Sequence, residues 1–191
     1  MFSDLVITAV RERLTQHLMR PLSHEVALNN MTFLYHSIRA SEDLLRLAKS
    51  RSRGALREYY AAHLKEEIGH HLWLEQDLAN AGIQAKQTPI PRLAVEMVGS
   101  QFYLIRYVDP AALLGYLAVM EGFPRSKALI EKFEAAFGHE LPTLRYHATH
   151  DVDHIADLVK MIDAVPEKSK PMVLESAIQT AWYAGTAAQQ F

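Results

Sequence analysis

Two histidines and a glutamate are spaced so that they share one face of a predicted helix. His63, Glu67 and His70 lie three, four and seven residues apart, and side chains at such spacings stack on the same side of an α-helix. Apolar residues such as Leu64 and Ile68 fall on that face, which indicates that it is buried. A buried carboxylate needs a partner, so the cluster requires either a bound cation or a Glu–His hydrogen bond. Glu67 and His70 also form the E-x-x-H pair found in carboxylate-bridged di-iron bundles.

The polar residues beside this cluster fall into two sets. Lys65 and Glu66 are predicted to point away from the apolar face. His71 and Glu75 lie near its centre, where they form either a structural pair or second-layer partners of the ligands.

A second group of metal-ligand residue types lies late in the chain. His147, Asp151 and His154 form an H-x3-D-x2-H pattern that spans about two helical turns and shares a stripe with Leu144. Neutral imidazole and carboxylate suit iron, manganese or zinc. Two alternatives remain open: a solvated polar face, and a phosphohydrolase site built on the dipeptide His150-Asp151, for which the further ligands cannot be placed.

Glu121 is a third candidate ligand. It follows the uncharged segment 111–120 and continues the apolar stripe of Leu114 and Leu117. The sequence Gly-Phe-Pro at 122–124 then ends the helix. A buried glutamate at a helix end binds either a metal or free backbone N–H groups.

Helical spacing dominates the chain, and strand-like alternation is not found. The sequence therefore predicts an all-α fold, a bundle of seven to eight helices in one domain over residues 1–191. Ser23 is a predicted N-cap and Gly138 a predicted helix stop. The predicted helices cover residues 3–18, 24–49, 55–80, 92–107, 110–121, a stretch ending at 137, 140–164 and a stretch ending near 190.

Composition narrows the classes of function. The chain of 191 residues has no cysteine, so thiolate metal sites and cysteine nucleophiles are excluded. A net charge of −2 without a basic stripe argues against nucleic acid as a partner. No apolar run is long enough for a membrane span or a signal peptide. We therefore expect a cytoplasmic protein that acts on a small molecule. A homodimer is the oligomer that we consider for it, because dimers are common among compact proteins.

Together the three groups resemble, in their order along the chain, the haem-oxygenase-like di-iron oxidase and oxygenase family. This family includes CADD-like proteins, alkene-forming fatty acid decarboxylases and N-oxygenases, and it shares its fold with TenA and the PQQ-synthesis oxidase. The resemblance covers roughly residues 24–190. It implies a haem-oxygenase-like bundle that holds non-haem iron and uses O2 to oxidise a small organic acid or an amino acid.

The resemblance also implies a set of iron ligands. The ligands implied are Glu67, His70, Glu121, His147, Asp151 and His154, with His63 as an additional ligand or a supporting residue. Glu67 and His70 would hold one iron, the H-x3-D-x2-H residues would hold the other, and Glu121 would bridge them. Several family members have a glutamate where this chain has His63, so one iron or two remain open.

Other members of the fold class suggest different activities. TenA chemistry uses a cysteine, which this chain lacks. A haem oxygenase would use an early histidine, such as His24 or His36, but would leave the internal carboxylates without a role. A cofactor-free enzyme, or a ligand-binding protein that has lost the redox chemistry, is the main alternative. Arg106 and Arg125 could pair with a substrate carboxylate or be plain surface charges.

Overall fold

The prediction of an all-α fold is confirmed. The computed structural model describes the backbone of residues 1–15 and 22–190, and their side chains except at 150–153 and 189–190. Within these residues there are nine α-helices and no strand. The helices are α1 (Phe2–Thr15), α2 (His24–Arg51), α3 (Gly54–Glu67), α4 (His70–Asn80), α5 (Arg92–Tyr107), α6 (Ala112–Met120), α7 (Lys127–Phe137), α8 (Pro142–Ala164) and α9 (Lys170–Gln190).

Helix ends agree with the signals in the sequence. The Ser23 side chain accepts a hydrogen bond from the backbone N–H of Val26 at 3.2 Å, as an N-cap does. Gly138 follows α7 with a φ of 75°, a left-handed conformation that glycine adopts without steric cost. Both predicted signals are therefore confirmed.

The predicted continuous helix over residues 55–80 is wrong at one point. α3 ends at Glu67, and Gly69 has a φ of 90° before α4 begins at His70. The Glu42 side chain of α2 stabilises this break, because its Oε1 accepts the Gly69 N–H at 3.0 Å. The break turns Ile68 out of the predicted apolar face, so that it is exposed. It also explains why the bundle has one helix more than expected.

Helix α6 lies at the centre of the core. Every residue from Ala112 to Val119 is buried, and α9 packs so closely against Gly115 that an added Cβ would lie 2.2 Å from the Val173 carbonyl oxygen. Despite the apolar character of α6, no helix in the described residues is both long and apolar enough to cross a bilayer. The buried α6 delivers Glu121 to the interior, because this residue follows its last turn.

Candidate metal centre

Four segments bring the predicted ligands together inside the bundle. Six of the seven have described side chains: His63 and Glu67 on α3, His70 on α4, Glu121 after α6, and His147 and His154 on α8. The seventh, Asp151, lies on α8, but its side chain is outside the described residues.

His63, Glu121 and His154 form one compact group. His63 Nε2 lies 2.8 Å from Glu121 Oε1, and His154 Nδ1 lies 3.7 Å from Glu121 Oε2. One ligand atom from each residue lies within 4.8 Å of the other two. His154 Nδ1 is buried and makes no hydrogen bond. A group of two imidazoles and a carboxylate at this spacing fits a divalent cation that prefers nitrogen and oxygen.

Glu121 controls the charge of this group. Burial alone would lower the pKa of His63, but the adjacent carboxylate outweighs burial and raises that pKa to about 9. Without a metal, the imidazolium of His63 therefore balances the charge of Glu121 at neutral pH. A cation that binds both residues takes over this role, because a ligating imidazole must give up its proton.

Glu67, His70 and His147 form a second group. His70 Nδ1 lies 3.2 Å from Glu67 Oε1, and the rings of His70 and His147 are 5.0 Å apart. Burial acts to raise the pKa of Glu67, but contact with His70, helped by His63 and His147, holds that pKa below its usual value. Trp73 covers His70 at a ring distance of 4.3 Å. Glu67 is therefore an ionised carboxylate, only 10% exposed at its side chain, with imidazoles around it.

One small cavity joins the two groups. Its volume is about 50 Å³, which suits metal ions and a few small molecules the size of water. His63, Glu67, Glu121 and His147 line its polar side. The remaining lining residues are Leu34, Ile38, Ser41, Leu45, Tyr116, Leu117, Met120, Arg125 and Leu144. The residues of the chain thus fit a metal centre with an apolar wall facing it.

The structure groups the histidines differently from the ligand sets implied by the resemblance, which assigned His147 and His154 to the same iron. His63 meets His154, whereas His70 meets His147. Residues seven apart on α8 are separated by about 10 Å along the helix axis, too far for both to bind one ion. The earlier segment contributes His63 to one group and His70 to the other. Helix α8 contributes to the same two groups in the opposite order along the chain, with His154 beside His63 and His147 beside His70.

Several polar residues have roles that the sequence did not reveal. Glu66 is exposed, as expected for a residue that points away from the apolar face, but its Oε2 also lies 3.5 Å from His154 Nε2. His71 contacts Glu42 at 3.3 Å and Glu75 contacts Lys86 at 2.8 Å, so they do not pair with each other. No periodic pattern indicates these contacts, because each depends on how a neighbouring segment packs.

The histidines proposed for haem lie elsewhere. His24 Nδ1 lies 2.8 Å from the Ala136 carbonyl oxygen, and His36 Nε2 lies 3.3 Å from Thr88 Oγ1. Neither residue lines the cavity between the two groups. Of the two arginines suggested for a substrate carboxylate, Arg125 lines the cavity and Arg106 does not.

Comparison with known families matches residues 31–187 to the family described as "Iron-containing redox enzyme". The matched segment contains all seven predicted ligands. No curated protein matches the chain significantly.

Two solved structures are similar in fold. A TenA homologue from Pyrococcus furiosus superposes with a TM-score of 0.70 at 13% identity, covering 98% of each chain. A domain of unknown function with a haem-oxygenase-like fold from Shewanella denitrificans gives a TM-score of 0.71 at 16% identity, covering 97% of this chain and 85% of the other. At these identities the comparison supports the haem-oxygenase-like fold alone.

Proposed function

The chain belongs to the iron-containing redox enzyme family, and from that premise we propose that it is a non-haem iron oxidase or oxygenase. Its centre would hold two iron ions, or one if the second site is weak, and would use O2 as co-substrate. The substrate would be a small organic acid or an amino acid.

One observation carries the proposal. Two separate groups of imidazoles and carboxylates line a single enclosed cavity, although they come from four segments distant in sequence. Buried ionisable groups at this density are costly unless they are mutually compensated or bound to a cation. A centre for two cations accounts for both groups at once.

Each of the two groups would hold one metal ion. Glu67, His70 and His147 would hold one ion, and His63, Glu121 and His154 would hold the other. Bound iron supplies one-electron redox chemistry and a site for O2. Asp151, which lies between the two histidines of α8 in sequence, would add a carboxylate to one of the ions.

The wall of the cavity would shield the reacting groups. The apolar wall, which includes Leu34, Leu117 and Met120, excludes water from the reacting groups. Arg125 is half-buried at the same cavity, and a guanidinium there would attract a substrate carboxylate.

Anaerobic loading with Fe(II) tests the proposal. After desalting, the iron content per chain is measured, and the sample is then mixed with O2 while absorption is followed in the near-ultraviolet and visible range. We expect one to two iron ions per chain and a transient absorption band. His147→Ala and Asp151→Ala should reduce both signals, whereas His24→Ala, an exposed histidine outside the cavity, should not. Absence of iron uptake in the unmodified protein would refute the proposal.

A cofactor-free acid–base enzyme is the second candidate. The observation in its favour is that His63 and Glu121 form a buried, charge-balanced contact at 2.8 Å. Such a pair can move a proton to and from a bound substrate. Turnover that survives thorough removal of iron by a chelator would select this candidate over the first.

A further inference from the structure

We propose that Glu42 of α2 is a positioning residue for the candidate metal ligand His70. The inference rests on the proposed metal centre and adds to it a residue that touches no ion and does not line the cavity. Glu42 Oε1 accepts the backbone N–H of Gly69 at 3.0 Å, and His70 is the next residue and the first of α4. Glu42 therefore fixes the point at which the helix that carries His70 begins.

The break between α3 and α4 makes the position of His70 depend on such a contact. Glu67 is the last residue of α3, so its 3.2 Å contact with His70 Nδ1 joins two helices. Within one continuous helix, the period of 3.6 residues would fix the relation between these two residues. Across the break, the Gly69 N–H needs an acceptor other than the carbonyl four residues earlier, and Glu42 supplies it.

The Glu42 carboxylate is itself held in place. Its Oε2 accepts a hydrogen bond from Arg46 Nη2 at 3.1 Å, its Oε1 also lies 3.3 Å from His71 Nδ1, and its side chain is only 16% exposed. The Gly69 N–H is the main reason that the pKa of Glu42 lies below its usual value. An ionised carboxylate thus caps the start of α4 from another helix, as the glutamate of a capping box does within one segment.

Helix α2 carries both this cap and part of the cavity wall. Ser41, directly before Glu42, and Leu45, three residues after it, line the cavity between the two groups of candidate ligands. Glu42 therefore ties the start of α4 to the wall that faces the ions. The group of His63 and His154 comes from segments that do not follow the break, so we expect the cap to affect only one of the two ions.

Titration of the metal-free full-length protein with Co(II), followed by its visible absorption, tests the inference. His70→Ala and His154→Ala each remove one class of site and so identify the two sets of absorption bands. We expect Glu42→Ala to weaken the class that His70→Ala removes by about tenfold or more and to change its bands. The class that His154→Ala removes should be unaffected.

Two conservative variants distinguish the reach of the carboxylate from its charge. Glu42→Gln keeps an acceptor oxygen at the same distance along the side chain but removes the charge, whereas Glu42→Asp keeps the charge and shortens the side chain. Positioning through the Gly69 N–H predicts tighter Co(II) binding by Glu42→Gln than by Glu42→Asp. The reverse order would mean that Glu42 acts through its charge, and the inference would be wrong.

Asp163→Ala is the matched control for stability. Asp163 also caps a helix from another helix, because it accepts the Ser3 N–H at 2.8 Å at the start of α1. Both Asp163→Ala and Glu42→Ala should lower the midpoint of urea denaturation, but only Glu42→Ala should weaken Co(II) binding. His71→Ala, which keeps the Gly69 contact, should bind both ions nearly as the unmodified protein does. Circular dichroism of the metal-free variants checks that they are folded.

The outcomes separate this inference from the proposed function. If Glu42→Ala binds Co(II) with unchanged affinity and bands, Glu42 supports only the fold and the inference is wrong. An equal loss of Co(II) affinity in Asp163→Ala would trace the effect to overall stability, and an equal loss in His71→Ala would trace it to that contact. Either result refutes positioning through Gly69. If the unmodified protein binds neither Co(II) nor Fe(II), the metal centre itself is refuted.

Discussion

His63 and Glu121 are 58 residues apart in sequence, yet their side chains meet at 2.8 Å in the interior. Both residues are buried, at 3% and 7% exposure. Their contact couples the end of α3 to the end of α6, and it keeps the site electrically balanced before any ion binds. This balance lowers the cost of burying these ionisable groups whenever no ion is bound.

Removal of one partner of the His63–Glu121 contact should destabilise the protein more than replacement of both partners. Glu121→Ala leaves His63 without its partner, and we expect the free energy of unfolding of the metal-free protein to fall by about 3 kcal/mol. Replacing both residues by leucine should restore much of this loss, because an apolar pair has no charge to desolvate. Urea denaturation in the presence of a chelator measures both values. A double variant that is less stable than Glu121→Ala would contradict this account.

The double leucine variant also separates stability from function. It should fold but lose one class of metal site, because two of the three residues in the compact group are gone. Retention of both ions by this variant would show that His63 and Glu121 do not ligate metal.

Sequence reasoning identified candidate ligands but not how they pair. The positions of Glu67 on α3 and of His147 on α8 follow from a local period of 3.6 residues, whereas His70 begins a new helix after Gly69. The contact of His63 with His154 depends on how α8 packs against α3. The whole bundle sets that packing, so no local sequence pattern predicts it.

The break at Gly69 illustrates the same limit. A glycine inside a helical pattern is compatible with a continuous helix, and only the carboxylate of Glu42, brought in by α2, stabilises the interruption. The exposure of Glu66 agrees with its predicted place on the helix, but its contact with His154 on α8 could not be predicted, because that contact depends on how α8 packs. Local periodicity therefore predicts which side chains are buried better than it predicts which residues they contact.

The left-handed conformation of Gly69 should position His70 for the metal. Gly69→Ala forces an L-residue to a φ of 90°, and we expect a loss of about 1–2 kcal/mol in unfolding free energy. The strain also shifts the start of α4, so metal affinity should fall. Gly82→Ala is the matched control, because Gly82 has a φ of 77° after the other end of α4. It should cost similar stability but leave metal binding intact, and equal metal affinity in both variants would count against a positioning role for Gly69.

Gly115 should be irreplaceable in the contact between α6 and α9. A methyl group there would lie 2.2 Å from the Val173 carbonyl oxygen and 2.6 Å from the Ala177 nitrogen, so the helices must separate. We expect Gly115→Ala to destabilise the protein by about 1–3 kcal/mol or more. Gly99→Ala, in the exposed middle of α5 where nothing lies within 4 Å, should stabilise it by up to about 1 kcal/mol. Thermal denaturation of the two variants gives the comparison, and similar midpoints would refute the close packing.

Asp163 should stabilise the start of α1 in a pH-dependent way. Its two carboxylate oxygens accept hydrogen bonds from the Ser3 N–H and the Ser3 hydroxyl, each at 2.8 Å, so a residue of α8 acts as the cap of α1. The Ser3 backbone N–H is the main reason that the pKa of Asp163 lies below its usual value. Asp163→Ala should therefore lower the free energy of unfolding by about 1 kcal/mol at neutral pH.

The sign of the pH effect follows from that lowered pKa. Because the folded state holds Asp163 ionised more strongly than the unfolded chain does, the carboxylate adds its full stability above the unfolded pKa of about 4. This contribution is lost as the pH falls through the lower pKa of the folded state. The difference in unfolding free energy between the unmodified protein and Asp163→Ala, measured by urea denaturation from pH 7 to pH 3, should therefore shrink on acidification. Asp43→Ala is the control: it removes an exposed carboxylate of α2 and should change the unfolding free energy by less than about 0.5 kcal/mol. If the difference for Asp163→Ala stays constant from pH 7 to pH 3, the charge of Asp163 does not cap α1.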